Sequence, residues 1–158
     1  MEIKKILIPT DCSELSKDAL RIGIDFAKKF DAKLLLLYVA NDTSPIALED
    51  LQGLPNEVAQ NLRNAAGQRF QRQIEDFWNS LYDSEIKVEL EVDTGDPFTQ
   101  IIKVAKRSET DLIIMGTHGH TGIKHILMGS VAEKVVRYSP FPVLTVKHDE
   151  HDYEPYDK

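Results

Sequence analysis

Hydrophobic residues along this chain gather in short continuous runs. Between the runs they recur every three or four positions. Residues 3–9, IKKILIP, form the first run and close on Pro9. Leu15, Ala19, Ile22, Phe26 and Ala27 then share one helical face up to about Phe30. Asp11 and Ser13 are capping types before that helix, and Glu14 suits its first turn. Lys33 to Ala40, KLLLLYVA, is almost wholly apolar, as a strand covered on both faces must be. The pattern predicts a βαβ unit at the start of the chain.

Asn41 to Pro55 interrupts the periodicity with two prolines, a glycine and several capping residues, and predicts a long connection. Helical spacing resumes at Asn56. Val58, Leu62, Ala65, Phe70, Phe77 and Leu81 mark its apolar side, with Trp78 expected at the edge and Arg63, Arg69 and Arg72 in solvent. Ile86 to Val92, IKVELEV, alternates apolar and charged residues, the signature of a half-exposed edge strand. Asp96-Pro97 predicts an N-cap followed by proline at the first helical position, with Phe98, Ile101, Ile102 and Ala105 facing inward. Asp111 to Met115 predicts a strand. Ser130 to Tyr138 predicts a helix with Val131, Val135 and Val136 inward. Pro140 to Val146 predicts a last strand, at an edge where Pro142 costs no ladder donor. Strands alternating with helices in this way predict an α/β fold with a parallel sheet, right-handed crossovers and helices on both faces. One domain is expected over 1–147, with 148–158 as a separate tail.

Between the strand at 111–115 and the helix at 130–138 the chain concentrates four of its eight glycines: Gly116, Gly119, Gly122 and Gly129. A glycine-rich loop running into a helix start is an anion site by construction. The first-turn N–H groups have no intrahelical acceptor, and the positive end of the helix dipole lies there. In open α/β sheets the ligand crevice lies beyond the strands' carboxyl ends, at the switch in strand order. If the first and fourth strands are neighbours, three groups converge there. Asp11 offers a carboxylate to a ribose hydroxyl or a divalent cation. Val39 offers an apolar wall and backbone polar groups to a base. Gly116 admits a ligand close to the backbone, while the loop and Ser130 face phosphates. The chain has no GxxxxGK[ST] loop, and the turn PTDCSE after the first strand has no glycine, which excludes the usual dinucleotide fingerprint.

Composition narrows the picture further. With 42% hydrophobic and 28% charged residues the chain suits a soluble globular domain. The net charge is −7, and the tail HDEHDYEPYDK, with five acids and one lysine, holds −4 of it. No basic stripe for nucleic acid is present, and no apolar run approaches the roughly 20 residues of a membrane helix. The tail is too polar to pack and is expected to be flexible and solubilising. Cys12 is the only cysteine, so no intramolecular disulfide forms. Together with an N-terminus lacking a signal-peptide pattern, this favours the cytosol.

The spacing Gly116-x2-Gly119-x9-Gly129-Ser130 resembles the nucleotide-binding signature of the universal stress protein family. ILIPTD, DLIIMGTHGHTG, MGSVAEKVV and PFPVLTV are similar to that family in order and separation, over about residues 2–147. The resemblance implies a Rossmann-like, three-layer sandwich with a five-stranded parallel sheet of order 3-2-1-4-5. It implies bound ATP, with AMP or a cyclic nucleotide as alternatives and Mg²⁺ brought by the nucleotide next to Asp11. It implies a homodimer formed through the last strand, 142–147. The family's contacts fall on Pro9, Thr10 and Asp11, on Val39, on Met115 through Gly122 (Met115, Gly116, Thr117, His118, Gly119, His120, Thr121, Gly122) and on Gly129, Ser130, Val131 and Ala132.

His118, His120 and His125 have metal-like spacing, but no Cys, Asp or Glu nearby completes a site, so His118 is better placed beside a phosphate. Cys12 sits where a helix start can lower a thiol pKa, yet no resolving cysteine exists and a packing role is expected. Hydrolysis needs a positioned base, and only Asp11 is available. The inventory therefore favours an ATP-binding regulatory or stress-response factor over an enzyme. The alternatives are a slow ATPase or phosphoryl-transfer enzyme using Asp11 and a metal, and a partner-docking module with structural nucleotide.

Overall fold

The structure, a computed structural model, describes residues 2–40, 54–81, 86–117 and 128–147. Most of the predicted connection (41–53), the loop residues 118–127 with their three histidines and Lys124, and the acidic tail lie outside them. Through the described residues run β1 (Lys5–Thr10), a 3-10 turn (Glu14–Ser16), α1 (Lys17–Phe30), β2 (Lys33–Ala40), α2 (Asn56–Asn79), β3 (Val88–Thr94), α3 (Pro97–Arg107), β4 (Leu112–Gly116), α4 (Ser130–Tyr138) and β5 (Val143–Val146). The five strands form one parallel sheet in the order β3-β2-β1-β4-β5, the order expected.

Strand side chains alternate between two cores. Ile6, Ile8, Leu34, Leu36, Leu112 and Ile114 pack beneath α1 and α2, against Leu20, Ile24, Ile74, Phe77 and Trp78. Leu7, Leu35, Leu37, Ile113 and Met115 pack on the other face against Ile101, Val104 and Ala105 of α3 and Ala132 and Val135 of α4. This two-sided burial is why β1, β2 and β4 read as continuous apolar runs. Each fully buried Ile or Leu contributes about 1.5–3 kcal/mol. Most of the largest fully buried side chains lie on these three strands, whose carboxyl ends frame the crevice.

The crevice exists because β4 joins β1 on the side away from β2. Asp111 helps set that pairing: its Oδ2 accepts the N–H groups of Lys4 at 2.8 Å and Lys5 at 2.9 Å. On the other face α1 lies close on β1. A Cβ added to Gly23 would fall 2.1 Å from Cδ1 of the fully buried Ile8. At the edge, Val88, Leu90 and Val92 of β3 pack on the first core, while its acidic positions meet cations: Glu89 pairs with Lys5 at 3.2 Å, and Arg107 pairs with Glu91 and, at 3.7 Å, with Asp93. Asp96 caps α3 as expected, accepting the Thr99 N–H at 2.9 Å, and Pro97 follows it.

Four details differ from the expectations. The α-helical part of the first helix starts at Lys17, after a 3-10 turn, because the chain passes through a left-handed residue, Cys12, with φ of 60°. Trp78 is buried at 6% exposure, whereas Val58 is 43% exposed and Ala65 also faces out. The inward line of α2 runs through Ala59, Phe70, Ile74 and Phe77 instead, so Val58 is turned about 100° from it. In α3, Val104 is buried and Ile102 only half-buried. In α4 the buried pair is Ala132 and Val135, which leaves Val136 47% exposed.

Candidate functional site

The carboxyl ends of β1, β2 and β4 and the amino ends of α3 and α4 enclose a cavity of about 410 Å³. Pro9, Thr10 and Asp11 come from the end of β1, and Val39 from β2. Met115, Gly116 and Thr117 come from the end of β4, and Gly129, Ser130, Val131 and Ala132 from the start of α4. All eleven line the cavity. His118, Gly119, His120, Thr121 and Gly122 lie outside the described residues. Ser16, Leu37, Tyr38, Pro97 and Ile101 also line it, and the sequence had not marked them as site residues. Leu37 and Tyr38 carried a signal, since they precede Val39 on the same strand. Pro97 and Ile101 carried one only as helix residues after the edge strand. A wider groove of about 720 Å³ lies between the start of α1 and α2, with Lys17, Arg69 and Arg72 on its walls. It lacks the convergence of strand ends, and Lys17 is already held by Glu14 at 2.6 Å.

The β1–α1 turn is knit by short polar side chains. Ser13 donates its N–H at 3.0 Å and its hydroxyl at 2.6 Å to Oδ1 of Asp11. Asp11 thus stabilises the turn locally and is also one of the residues lining the cavity. Cys12 donates its N–H to Thr10 Oγ1 at 2.9 Å. The Cys12 thiol packs against the α1 and α2 core. Burial, and secondarily the Asp11 charge, push its pKa up to about 12, against a lowering by the Thr10 hydroxyl. The helix-start effect that activates some thiols is overridden, and Cys12 is the packing residue expected. Tyr38 is pushed up as well, first by burial and then by Cys12 and Asp11. Its ring meets Phe70 at 5.7 Å between centroids and its hydroxyl bonds to Gln73.

Across the cavity, α4 begins at Ser130 with Gly129 as the N-cap, so Ser130 is the first helical residue and not the cap itself. The Gly129 N–H donates to the Thr117 carbonyl at 2.7 Å and its carbonyl accepts the Glu133 N–H at 2.9 Å. The N–H groups of Ser130, Val131 and Ala132 are then the first-turn donors that the helix itself cannot satisfy. The arrangement brings together on one cavity the first-turn donors for an anion, the apolar residues Leu37, Val39 and Ile101, and one acidic residue, Asp11. A magnesium ion carried by phosphates would need only one or two protein carboxylates, and Asp11 is the residue that could offer one. Among the described residues no group of three His, Cys, Asp or Glu forms a metal site, and no helix is long and apolar enough to cross a membrane.

The sequence profile of the universal stress protein family matches residues 2–147. Universal stress protein MJ0531 of Methanocaldococcus jannaschii is 38% identical over 148 residues, covering 91% of this chain and 82% of its own. Universal stress protein MJ0577 of the same organism is 35% identical over 154 residues, covering 91% and 94%. The solved structure of MJ0577 superposes with a TM-score of 0.78, over 95% of this chain and 99% of that one. A family protein of Arabidopsis thaliana, solved with AMP bound, shares the fold with a TM-score of 0.60 at 22% identity, over 96% of each chain.

Proposed function

Since the chain belongs to the universal stress protein family, we propose that the cavity at the carboxyl end of its sheet binds an adenine nucleotide. ATP is the leading ligand, with AMP or a cyclic nucleotide as alternatives, and the protein acts as a nucleotide-dependent regulatory or stress-response factor. The observation that carries this reading is the convergence of Asp11, Val39, Gly116 and the first turn of α4 on one cavity of about 410 Å³. That volume is within the range of small-molecule sites. The base lies on the wall of Leu37, Val39 and Ile101, next to the β2 backbone. The ribose or a phosphate-bound Mg²⁺ meets Asp11. The phosphates meet the N–H groups of Ser130, Val131 and Ala132. AMP bound to a protein of the same fold supports the ligand class.

Binding, rather than efficient turnover, suits the chemistry. Asp11 is the one carboxylate lining the cavity among the described residues, and its Oδ1 already accepts two bonds from Ser13. The single domain at 1–147 is proposed to work as a cytoplasmic homodimer paired through 142–147, where β5 is a sheet edge. Isothermal titration with ATP, with and without Mg²⁺, tests the reading. Saturable binding below millimolar supports it, and no heat at millimolar ATP sinks it. A slow ATPase is separated by phosphate release that disappears in Asp11→Ala.

A further inference from the structure

The sheet between β1 and β2 ends in an uncompleted hydrogen bond, and two buried hydroxyls are the reason. The Lys33 N–H donates to the Lys4 carbonyl at 2.8 Å, and the register runs without a break from Lys5 opposite Lys33 to Thr10 opposite Tyr38. Odd-numbered residues of β2 therefore direct both N–H and C=O toward β1. Each carbonyl takes its donor from the β1 residue one beyond its partner. On that pattern the Val39 carbonyl is due the N–H of Cys12. It does not receive it, because that N–H donates to Thr10 Oγ1 at 2.9 Å, where the chain turns through the left-handed Cys12.

Thr10 Oγ1 is held in this role. It lies 2.9 Å from Ser16 Oγ. The Ser16 hydroxyl gives its own hydrogen to the Ser13 carbonyl at 2.8 Å, so toward Thr10 it accepts. Thr10 therefore donates to Ser16 and keeps a lone pair for Cys12. Both residues are buried, at 8% and 4% exposure, and both line the cavity. The relay Cys12 to Thr10 to Ser16 to Ser13 is satisfied at every step, while the Val39 carbonyl is left without its β1 donor beside the cavity.

We propose that the Thr10–Ser16 hydroxyl pair is a positioning device that frees the Val39 carbonyl for the base and thereby selects a purine with an amino group at C6 over one with an oxo group. The inference rests on the nucleotide reading above. A C6 amino group donates to the carbonyl. A C6 oxo group opposes one acceptor with another and leaves both unpaired, which is worth roughly five- to a hundredfold in affinity.

Calorimetric titration of the full chain with ATP, with inosine triphosphate and with purine riboside triphosphate tests this, since all three carry the same phosphates. The second exchanges the C6 amino group for an oxo group and adds a proton at N1. The third lacks the amino group and keeps the N1 acceptor. Wild type is expected to prefer ATP to either by about tenfold or more. Thr10→Val keeps the shape and removes the oxygen, and its preference is expected to fall to within about twofold. Ser16→Ala removes the acceptor that orients Thr10, and its preference is expected to fall part of the way. A general loosening of the site lowers the affinity for all three nucleotides together and leaves their ratio unchanged, so the ratio is the readout. A folded Thr10→Val protein with an unchanged ratio overturns the proposal. If that variant does not fold, an unchanged ratio in Ser16→Ala overturns it. Wild type binding either analogue as tightly as ATP defeats this inference alone, whereas wild type binding none of the three defeats the nucleotide reading with it.

Discussion

Gly129 donates its backbone N–H to the carbonyl of Thr117 at 2.7 Å, joining the end of β4 to the cap of α4 across the glycine-rich segment. Thr117 is tied on its other side as well, since its own N–H donates to the Val146 carbonyl at 3.0 Å. The first turn of α4 is thereby held at a set distance from the strand ends, whatever the eleven residues 118–128 do between them. Gly129 has φ −68° and ψ 151°, a conformation open to any residue. Its backbone does not require glycine.

The first prediction follows from that conformation. Gly129→Ala is expected to unfold within about 2 °C of wild type, because its φ and ψ suit alanine as well as glycine and a change that strains no backbone stays within about 0.5 kcal/mol. Its ATP affinity is expected to drop about tenfold or more, since the methyl group is added to a cavity-lining residue directly before the first-turn donors. Thermal melting and titration, run side by side, decide it. A loss of stability with unchanged affinity would place the glycine's role in the fold instead.

Asp11 has two roles that one substitution can separate. Asparagine keeps an Oδ1 that accepts the Ser13 N–H and hydroxyl but removes the charge. Asp11→Asn is expected to melt close to wild type, whereas Asp11→Ala is expected to lose about 1 kcal/mol with the turn bonds. Both are expected to bind ATP more weakly in Mg²⁺ than wild type and to differ less from it in EDTA. If Mg²⁺ makes no difference to the loss, the carboxylate serves the ribose and not a cation.

Cys12 is expected to be inert in the native protein. With its pKa raised to about 12, the thiolate fraction at pH 8 is roughly one in ten thousand. Iodoacetamide should label it slowly in buffer and rapidly in urea, as mass spectrometry would show. A raised folded pKa stabilises fully below the unfolded value, near 9.0, and that contribution is lost as pH rises toward 12. Cys12→Ala is expected to lack this alkaline loss. Fast native labelling at pH 8 would contradict the half-buried, protonated thiol.

The strands that frame the site were legible because burial on both faces leaves an unbroken apolar run, as in KLLLLYVA, and because the order of elements leaves few topologies. Asp96-Pro97 was legible because capping is a local interaction. The inward face of α2 was not. Val58 and Ala59 are adjacent and both apolar, and only the docking angle of the helix decides which is buried. The left-handed Cys12 left no trace, since PTDCSE contains no glycine to announce it. Pro97 and Ile101 were missed as cavity residues for a related reason. They reach the crevice through the crossover of α3 from the edge of the sheet to its middle, a relationship between elements that local periodicity does not encode.

The cap of α3 carries a pH dependence with a defined sign. The Thr99 side chain, and then its N–H, hold the Asp96 carboxyl below its usual 3.8. The stability it supplies is therefore present above that value and lost as pH falls through the lowered folded pKa. Asp96→Ala is expected to cost about 1 kcal/mol at neutral pH, as N-cap truncations do. Urea titrations of the two proteins should converge as pH falls below about 3.8, the ordinary value of the acid. Asp96→Asn keeps a capping oxygen and should be nearly neutral at pH 7. A gap between Asp96→Ala and wild type that persists unchanged at pH 2 would show that the charge contributes nothing.

The proposed homodimer is tested most sharply on the β5 backbone. The Pro142 carbonyl accepts the Ile113 N–H and the Val146 carbonyl accepts the Thr117 N–H, so even-numbered residues of β5 turn inward to β4. Val143 and Thr145 consequently turn their N–H and C=O away from the sheet, toward any strand added at this edge. Thr145→Pro removes an outward donor and none of the bonds to β4. It is expected to leave the far-ultraviolet circular dichroism of wild type and to shift the protein from dimer to monomer at micromolar concentration in light scattering. Thr145→Val, which keeps the N–H, is expected to stay dimeric. A Thr145→Pro protein that remains a dimer would move the interface off this strand. The next surface to examine would then be the exposed Val136 and Tyr138 of α4, 47% and 62% open to solvent.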